Sequence, residues 1–143
     1  MKEITVRLEP GLRATVETDD HRFIAGEPVA LGGDNAGPDP YELLLASLGA
    51  CAVLTMRLYA DRKGWDLRSA TVVLSHGRTH VRDCESCDEE AKAKGGYIDR
   101  IQKVVTLTGD LDDTQRSRLV DIAGRCPVER TLERGPVIET VAG

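Results

Sequence analysis

The side chains able to do nucleophilic, redox or metal chemistry in this sequence are few, and the cysteines Cys51, Cys84, Cys87 and Cys126 lead them. Cys126 precedes Pro127 at what should be a helix N-terminus, where unpaired amides and the macrodipole favour a thiolate. A plain capping role for the same small side chain is the alternative. Cys51 lies inside a long apolar segment. Free cysteine is among the residues most often buried, so this position fits an inert core residue as well as a reactive thiol. The other two cysteines complete the pattern H-x3-H-x3-C-x2-C, made by His76, His80, Cys84 and Cys87. Two imidazoles and two thiolates suit a tetrahedral zinc ion, and a C-x2-C knuckle supplies half of such a site. The same pattern fits a redox dithiol, or a polar hairpin tip whose cysteines bind nothing. If a strand runs through this stretch, its period puts His76 and His80 on one face about 13 Å apart. Only a turn at Gly77 would then bring them to one metal.

The elements that must position these residues follow from periodicity and punctuation. Ile4, Val6 and Leu8 alternate with polar residues as in a half-buried strand, and Pro10-Gly11 stops it. Arg13 to Glu17 and Arg22 to Ala25 flank Asp19-Asp20 as a hairpin, with His21 a solvated turn residue. LGGDNAGPDP is a loop by composition, and it carries no phosphate-binding fingerprint. Asp39 is a fair N-cap with Pro40 at N1, and apolar residues at helical intervals extend this helix to Lys63-Gly64. The helix is apolar nearly all round, which places it centrally, and its small residues admit a close neighbour. A dimer would supply one. Ala70 to Leu74 and Ile98 to Thr108 read as paired strands around a polar hairpin insertion at about 76–96, whose charged run from Asp88 to Lys94 is solvated. A helix from Asp113 or Thr114, a second from Pro127 and a closing strand over Val137 to Val141 complete the order βββ-α-ββ-αα-β. With no βαβ alternation, the class is α+β in a single domain over 1–143.

Composition narrows the function. The 143 residues are 41% hydrophobic and 30% charged, as in folded soluble proteins. A net charge of −5 and only one Phe, one Trp and three Tyr argue against nucleic acid as a partner and against anionic membranes. The nearly uncharged stretch from Leu43 to Met56 falls short of the roughly 20 residues that cross a bilayer. No secretory leader is evident at the start, so a reducing cytoplasm is expected, where cysteines serve more often as core residues, metal ligands or redox thiols than as fixed disulfides.

Taken together, PDPYELLLASLGAC at 38–51 and GRCPVERTLERG at 124–135 resemble the OsmC/Ohr family of osmotically inducible and organic hydroperoxide resistance proteins. The resemblance spans nearly the whole chain. It implies an OsmC-like fold, a long central helix on antiparallel sheets in an intertwined homodimer with sites at the subunit interface. It also implies thiol peroxidase activity in oxidative-stress defence. Cys51 then matches the peroxidatic cysteine and Cys126 the resolving one. The family's arginine falls on Arg13 in the PGLR turn, with Arg22 as the next candidate. Its glutamate position is occupied by Tyr41, which cannot pair with an arginine at neutral pH. Glu42 follows, but nine helical residues advance about 900° and set it opposite Cys51, so a first-turn role suits it better. This departure places the chain nearer the OsmC-like branch, one subgroup of which carries a similar histidine and C-x2-C hairpin. The implied chemistry is coherent: a thiolate attacks the hydroperoxide, a cation polarises the O–O bond, and a second thiol captures the sulfenic acid. An external dithiol would reopen the disulfide, and no organic cofactor is required. The alternatives are a non-catalytic thiol- or ligand-binding dimer and a zinc-stabilised regulatory dimer on the same scaffold.

Overall fold

Alternation at the N-terminus builds an antiparallel three-stranded sheet. In the computed structural model, which describes residues 2–143, β1 (Thr5–Glu9), β2 (Arg13–Glu17) and β3 (Arg22–Gly26) lie in the order β1-β2-β3. The β2–β3 turn is closed by Thr18, whose Oγ1 accepts from the backbone N–H of His21 at 3.0 Å, and His21 is exposed as expected. Thr15, Val16 and Ala25 are buried, whereas Val6 and Leu8, expected on a half-buried strand, are 61% and 82% exposed. Both belong to β1, an edge strand whose side chains are left largely uncovered.

The helix α1 (Pro40–Lys63) starts and stops where its capping residues dictate. Asp39 Oδ1 accepts from the Glu42 N–H at 2.8 Å, and Glu42 Oε2 accepts from the Asp39 N–H at 2.9 Å. This reciprocal capping box gives Glu42 a first-turn role. Gly64, with φ of +66°, takes the left-handed conformation that ends the helix. Within α1 the chain divides into two compact units, one ending at Ala46 and the other comprising Ser47–Gly143.

In the second unit α1 is followed by β4 (Ser69–His80), α2 (Glu89–Lys94), β5 (Tyr97–Thr108), α3 (Asp113–Ala123) and α4 (Pro127–Arg134). β4 and β5 form one antiparallel ladder from Ser69↔Thr108 to His80↔Tyr97. Asp112 caps α3 in a second capping box, with Gln115. Ala52, Met56 and Ala60 of α1 pack with Leu67, Leu111, Leu119 and Ala123 as the core, with Val72, Val105 and Leu107 of the ladder against them. Met56 and Leu119 are fully buried, each contributing about 1.5–3 kcal/mol of transfer free energy.

Three expectations are corrected. β4 runs on to His80, so the ornamented turn spans only 81–96, a 3-10 turn at Val81–Asp83 followed by α2. Residues 137–141 form no strand: Val137, Ile138 and Val141 are 84–90% exposed. Their alternation is real, but among the described residues no neighbouring strand takes up their backbone groups, and a strand exists only through such pairing. The helix α1 is, by length and composition, able to cross a membrane, contrary to the shorter estimate from residues 43–56. Ala52, Met56 and Ala60 nevertheless lie in the protein core, while Leu54 and Leu58 on another face are 62% and 61% exposed.

Candidate active site

α1 carries Cys51 and α4 carries Cys126, and the fold brings these thiols into contact. Cys126 has extended backbone angles, φ −68° and ψ 152°, and Pro127 occupies the first helical position behind it. Pro127 has no N–H to lose and its fixed φ suits helix entry, which explains why α4 begins at this point. Cys126 is wholly buried and Cys51 half-buried, and both are free thiols. Burial pushes the Cys126 thiol above its ordinary range, and its hydrogen bond with Cys51 reinforces this by holding the proton. Two features oppose the rise: the backbone N–H of Glu129, which faces the sulfur too loosely to form a full cap, and the charge of Lys103.

Lys103 and Glu129 escaped the sequence reading. Lys103 lies on β5, half-buried like Ile101 and Val105 on either side of it in the alternation. Its ammonium donates to the Ala123 carbonyl at 2.9 Å and to the Glu129 carboxylate. Only 14% and 19% of the two side chains are exposed. The sequence did hold a signal for this pair, a lysine on the apolar phase of I-Q-K-V-V-T-L at 101–107.

In the first unit Arg13 opens β2, and its Nε donates to Asp34 Oδ2 at 2.7 Å, with Nη2 on the same oxygen. The guanidinium holds the Asp34 carboxyl below its usual range, and Asp34 in turn raises Arg13. Arg22, the other candidate, pairs with Glu17 at 3.6 Å. Asp34, from the glycine-rich loop, is thus the carboxylate that holds Arg13, and sequence reasoning had not singled it out. Tyr41 is 56% exposed.

The four candidate zinc ligands do not converge. Because β4 continues through Gly77, His76 stays on the ladder, where Nε2 meets Asp99 at 3.0 Å. His80 Nδ1 accepts from the Arg82 N–H and its ring stacks edge-on against Tyr97. Cys84 and Cys87 are joined in a disulfide with Cα atoms 5.4 Å apart, against the expectation of reduced thiols. Among the described residues no three His, Cys, Asp or Glu side chains converge as metal ligands. The hairpin end lies six ladder positions from the Leu74↔Lys103 pair, about 20 Å by strand rise.

A family model described as OsmC-like protein matches residues 32–141. The fold resembles an OsmC-like protein from Mycoplasma pneumoniae, at 20% identity and a TM-score of 0.71, over 93% of this chain and 87% of that one. It also resembles an organic hydroperoxide resistance protein OsmC from Legionella pneumophila, at 21% identity and a TM-score of 0.63, over 94% and 91% of the chains. An organic hydroperoxide resistance protein from Elizabethkingia anophelis, solved with thiocyanate bound, is similar at 21% identity and a TM-score of 0.61, over 94% and 90%. No curated protein matches the sequence.

Proposed function

This chain belongs to the OsmC-like protein family, and from that premise we propose that it is a thiol-dependent peroxide reductase with Cys51 as the peroxidatic and Cys126 as the resolving cysteine. The observation that supports this reading is the thiol–thiol contact between a half-buried Cys51 and a wholly buried Cys126. In this scheme the Cys51 thiolate attacks one peroxide oxygen of ROOH, the O–O bond breaks, and ROH leaves after taking a proton. The Cys126 sulfur then attacks the Cys51 sulfenic acid, expelling water and closing a disulfide. The half-buried thiol meets the oxidant, and the sealed one meets only the product. An external dithiol restores both thiols. Arg13 carries over from the resemblance as the cation of the reaction, with Asp34 as its carboxylate partner. Two of the structural relatives are organic hydroperoxide resistance proteins, which favours an organic substrate. The exposed Leu54 and Leu58 on α1 and the exposed Val73 and Val104 on the ladder favour a homodimer as the working form.

Peroxide consumption with a dithiol reductant, compared across wild type, Cys51→Ser and Cys126→Ser, tests the proposal. Turnover is expected in the wild type and is abolished in Cys51→Ser. Wild-type turnover no faster than that of Cys51→Ser overturns it.

A further inference from the structure

A lysine on the apolar face of a strand is expensive to bury unless its charge is matched and its N–H groups are satisfied. Lys103 meets both conditions through Glu129 and the Ala123 carbonyl. A staple between β5 and α4 would need no more than that. The pair, however, sits at Cys126: Glu129 is the third residue of the helix that Cys126 caps, and its backbone N–H faces the sulfur. The groups that act on Cys126 come from three elements, Cys51 on α1, Lys103 on β5 and Glu129 on α4. Of these, Lys103 is the cation.

We infer that the Lys103–Glu129 pair controls Cys126 electrostatically, with Lys103 stabilising the thiolate that Cys126 becomes when an external dithiol opens the Cys51–Cys126 disulfide. This rests on the two-cysteine reading above. The donor thiolate attacks the Cys51 sulfur, because that side chain is half-buried whereas Cys126 is sealed. A donor–Cys51 bond forms, the Cys51–Cys126 bond breaks, and Cys126 departs with the electron pair. The second donor thiolate then attacks the donor sulfur of the mixed disulfide and expels Cys51. The donor is oxidised by two electrons and the protein reduced by two, and the donor's two protons pass to the protein thiols or to solvent. A leaving thiolate with a lower proton affinity departs faster, and a nearby ammonium provides that. The Lys103 charge favours the anion while burial opposes it, so Lys103 is a positioning residue that keeps a sealed thiol usable. Glu129 limits the effect by neutralising part of the lysine's charge.

The two partners therefore have opposite signatures, which a mere staple would not. In full-length protein carrying Cys51→Ser, with 13C-labelled cysteine, NMR of the Cys126 Cβ gives its titration midpoint without any need for solvent access. Lys103→Met is expected to raise that midpoint, lowering the thiolate fraction about tenfold for each unit gained. Glu129→Gln is expected to lower it, and Lys103→Arg to restore it. In chains with both thiols present, Lys103→Met should slow dithiothreitol reduction of the preformed disulfide on the order of three- to tenfold. An unmoved midpoint in Lys103→Met, or displacement in the same direction by Lys103→Met and Glu129→Gln, overturns the inference. Should Lys103→Met not fold, the downward shift in Glu129→Gln decides alone. Because the titration needs no peroxide turnover, an inactive wild type would sink the peroxidase reading without touching this result. Active enzyme with an unmoved midpoint would do the reverse.

Discussion

The thiol of Cys126 is buried against that of Cys51, so the two differ in access rather than in kind. Loss of the sealed thiol should therefore change what becomes of the oxidised one. In Cys126→Ser the sulfenic acid formed on Cys51 has no partner, and excess hydroperoxide carries it to the sulfinic acid, transferring a second oxygen and releasing a second ROH. Peptide mass mapping should show the two-oxygen adduct on Cys51 in this variant and the Cys51–Cys126 disulfide in the wild type. An unmodified Cys51 in both proteins would argue against the assigned roles.

Alkaline stability should report on Cys126. Its folded-state proton affinity is raised above the ordinary value of 9.0, by burial first and by Cys51 in addition. As pH rises through 9.0 the unfolded thiol loses its proton while the folded one keeps it, so the unfolded state binds fewer protons and stability falls with pH. The contribution is complete below 9.0 and disappears as pH climbs through the folded value. Urea unfolding from pH 8 to 11 should show this decline in the reduced wild type, and Cys126→Ala should show a shallower one.

Asp34 should govern Arg13. Because the carboxyl is held below its ordinary 3.8 by Arg13, the pair is intact above that value and is lost as pH falls through the folded-state value. Asp34→Asn removes the charge and leaves Arg13 free to swing; with Arg13 as the cation of the proposed reaction, that misplacement costs about ten- to a hundredfold in rate. The expected result is a lower kcat/KM for an alkyl hydroperoxide at near-normal melting temperature, with partial recovery in Asp34→Glu. Equal kcat/KM in Asp34→Asn and wild type would remove Arg13 from the reaction or Asp34 from its support.

How far the sequence carried each element depended on the range of the interaction behind it. Capping at Asp39, the start of α3 at Asp113, the β2–β3 hairpin and the start of α4 at Pro127 are local effects, and they were legible within about two residues. The pairing of Arg13 with Asp34, 21 residues on, depends on the path of a glycine-rich loop, and no local pattern encodes it. The contact of Cys51 with Cys126 depends on how α4 returns to α1, and motif resemblance pointed to the residues without their geometry. Lys103 was visible as a charge on the wrong phase of a strand, but its meaning required Glu129, 26 residues away. The alternation at 137–141 misled because periodicity describes a strand's faces and says nothing of its partner.

Glu42 should matter to the helix rather than to the reaction. It closes a capping box with Asp39, and loss of the one hydrogen bond its carboxylate accepts costs about 0.5–1.5 kcal/mol. Glu42→Ala should lower the denaturant midpoint accordingly, and Glu42→Gln should preserve most of it because glutamine fills the same box. Peroxide turnover should be unchanged in Glu42→Gln. A collapse of turnover in that variant at normal stability would return Glu42 to the glutamate role that the resemblance assigns one residue earlier.

The hairpin disulfide should act locally. Cys84 and Cys87 enclose a loop of four residues, and chain-entropy arithmetic for so short a loop gives about 2 kcal/mol. Isolated without reductant and then denatured, the protein should yield thiol titres for Cys51 and Cys126 alone, and reduction should double the titre. A Cys84→Ser, Cys87→Ser protein should lose amide protection in 81–96, with the ladder at Leu74 and Lys103 left intact. The hairpin lies about 20 Å along the strands from that pair, so the first turnover of Cys51 with peroxide should also be unaltered. A changed first turnover would link the hairpin to the site by a route other than the ladder.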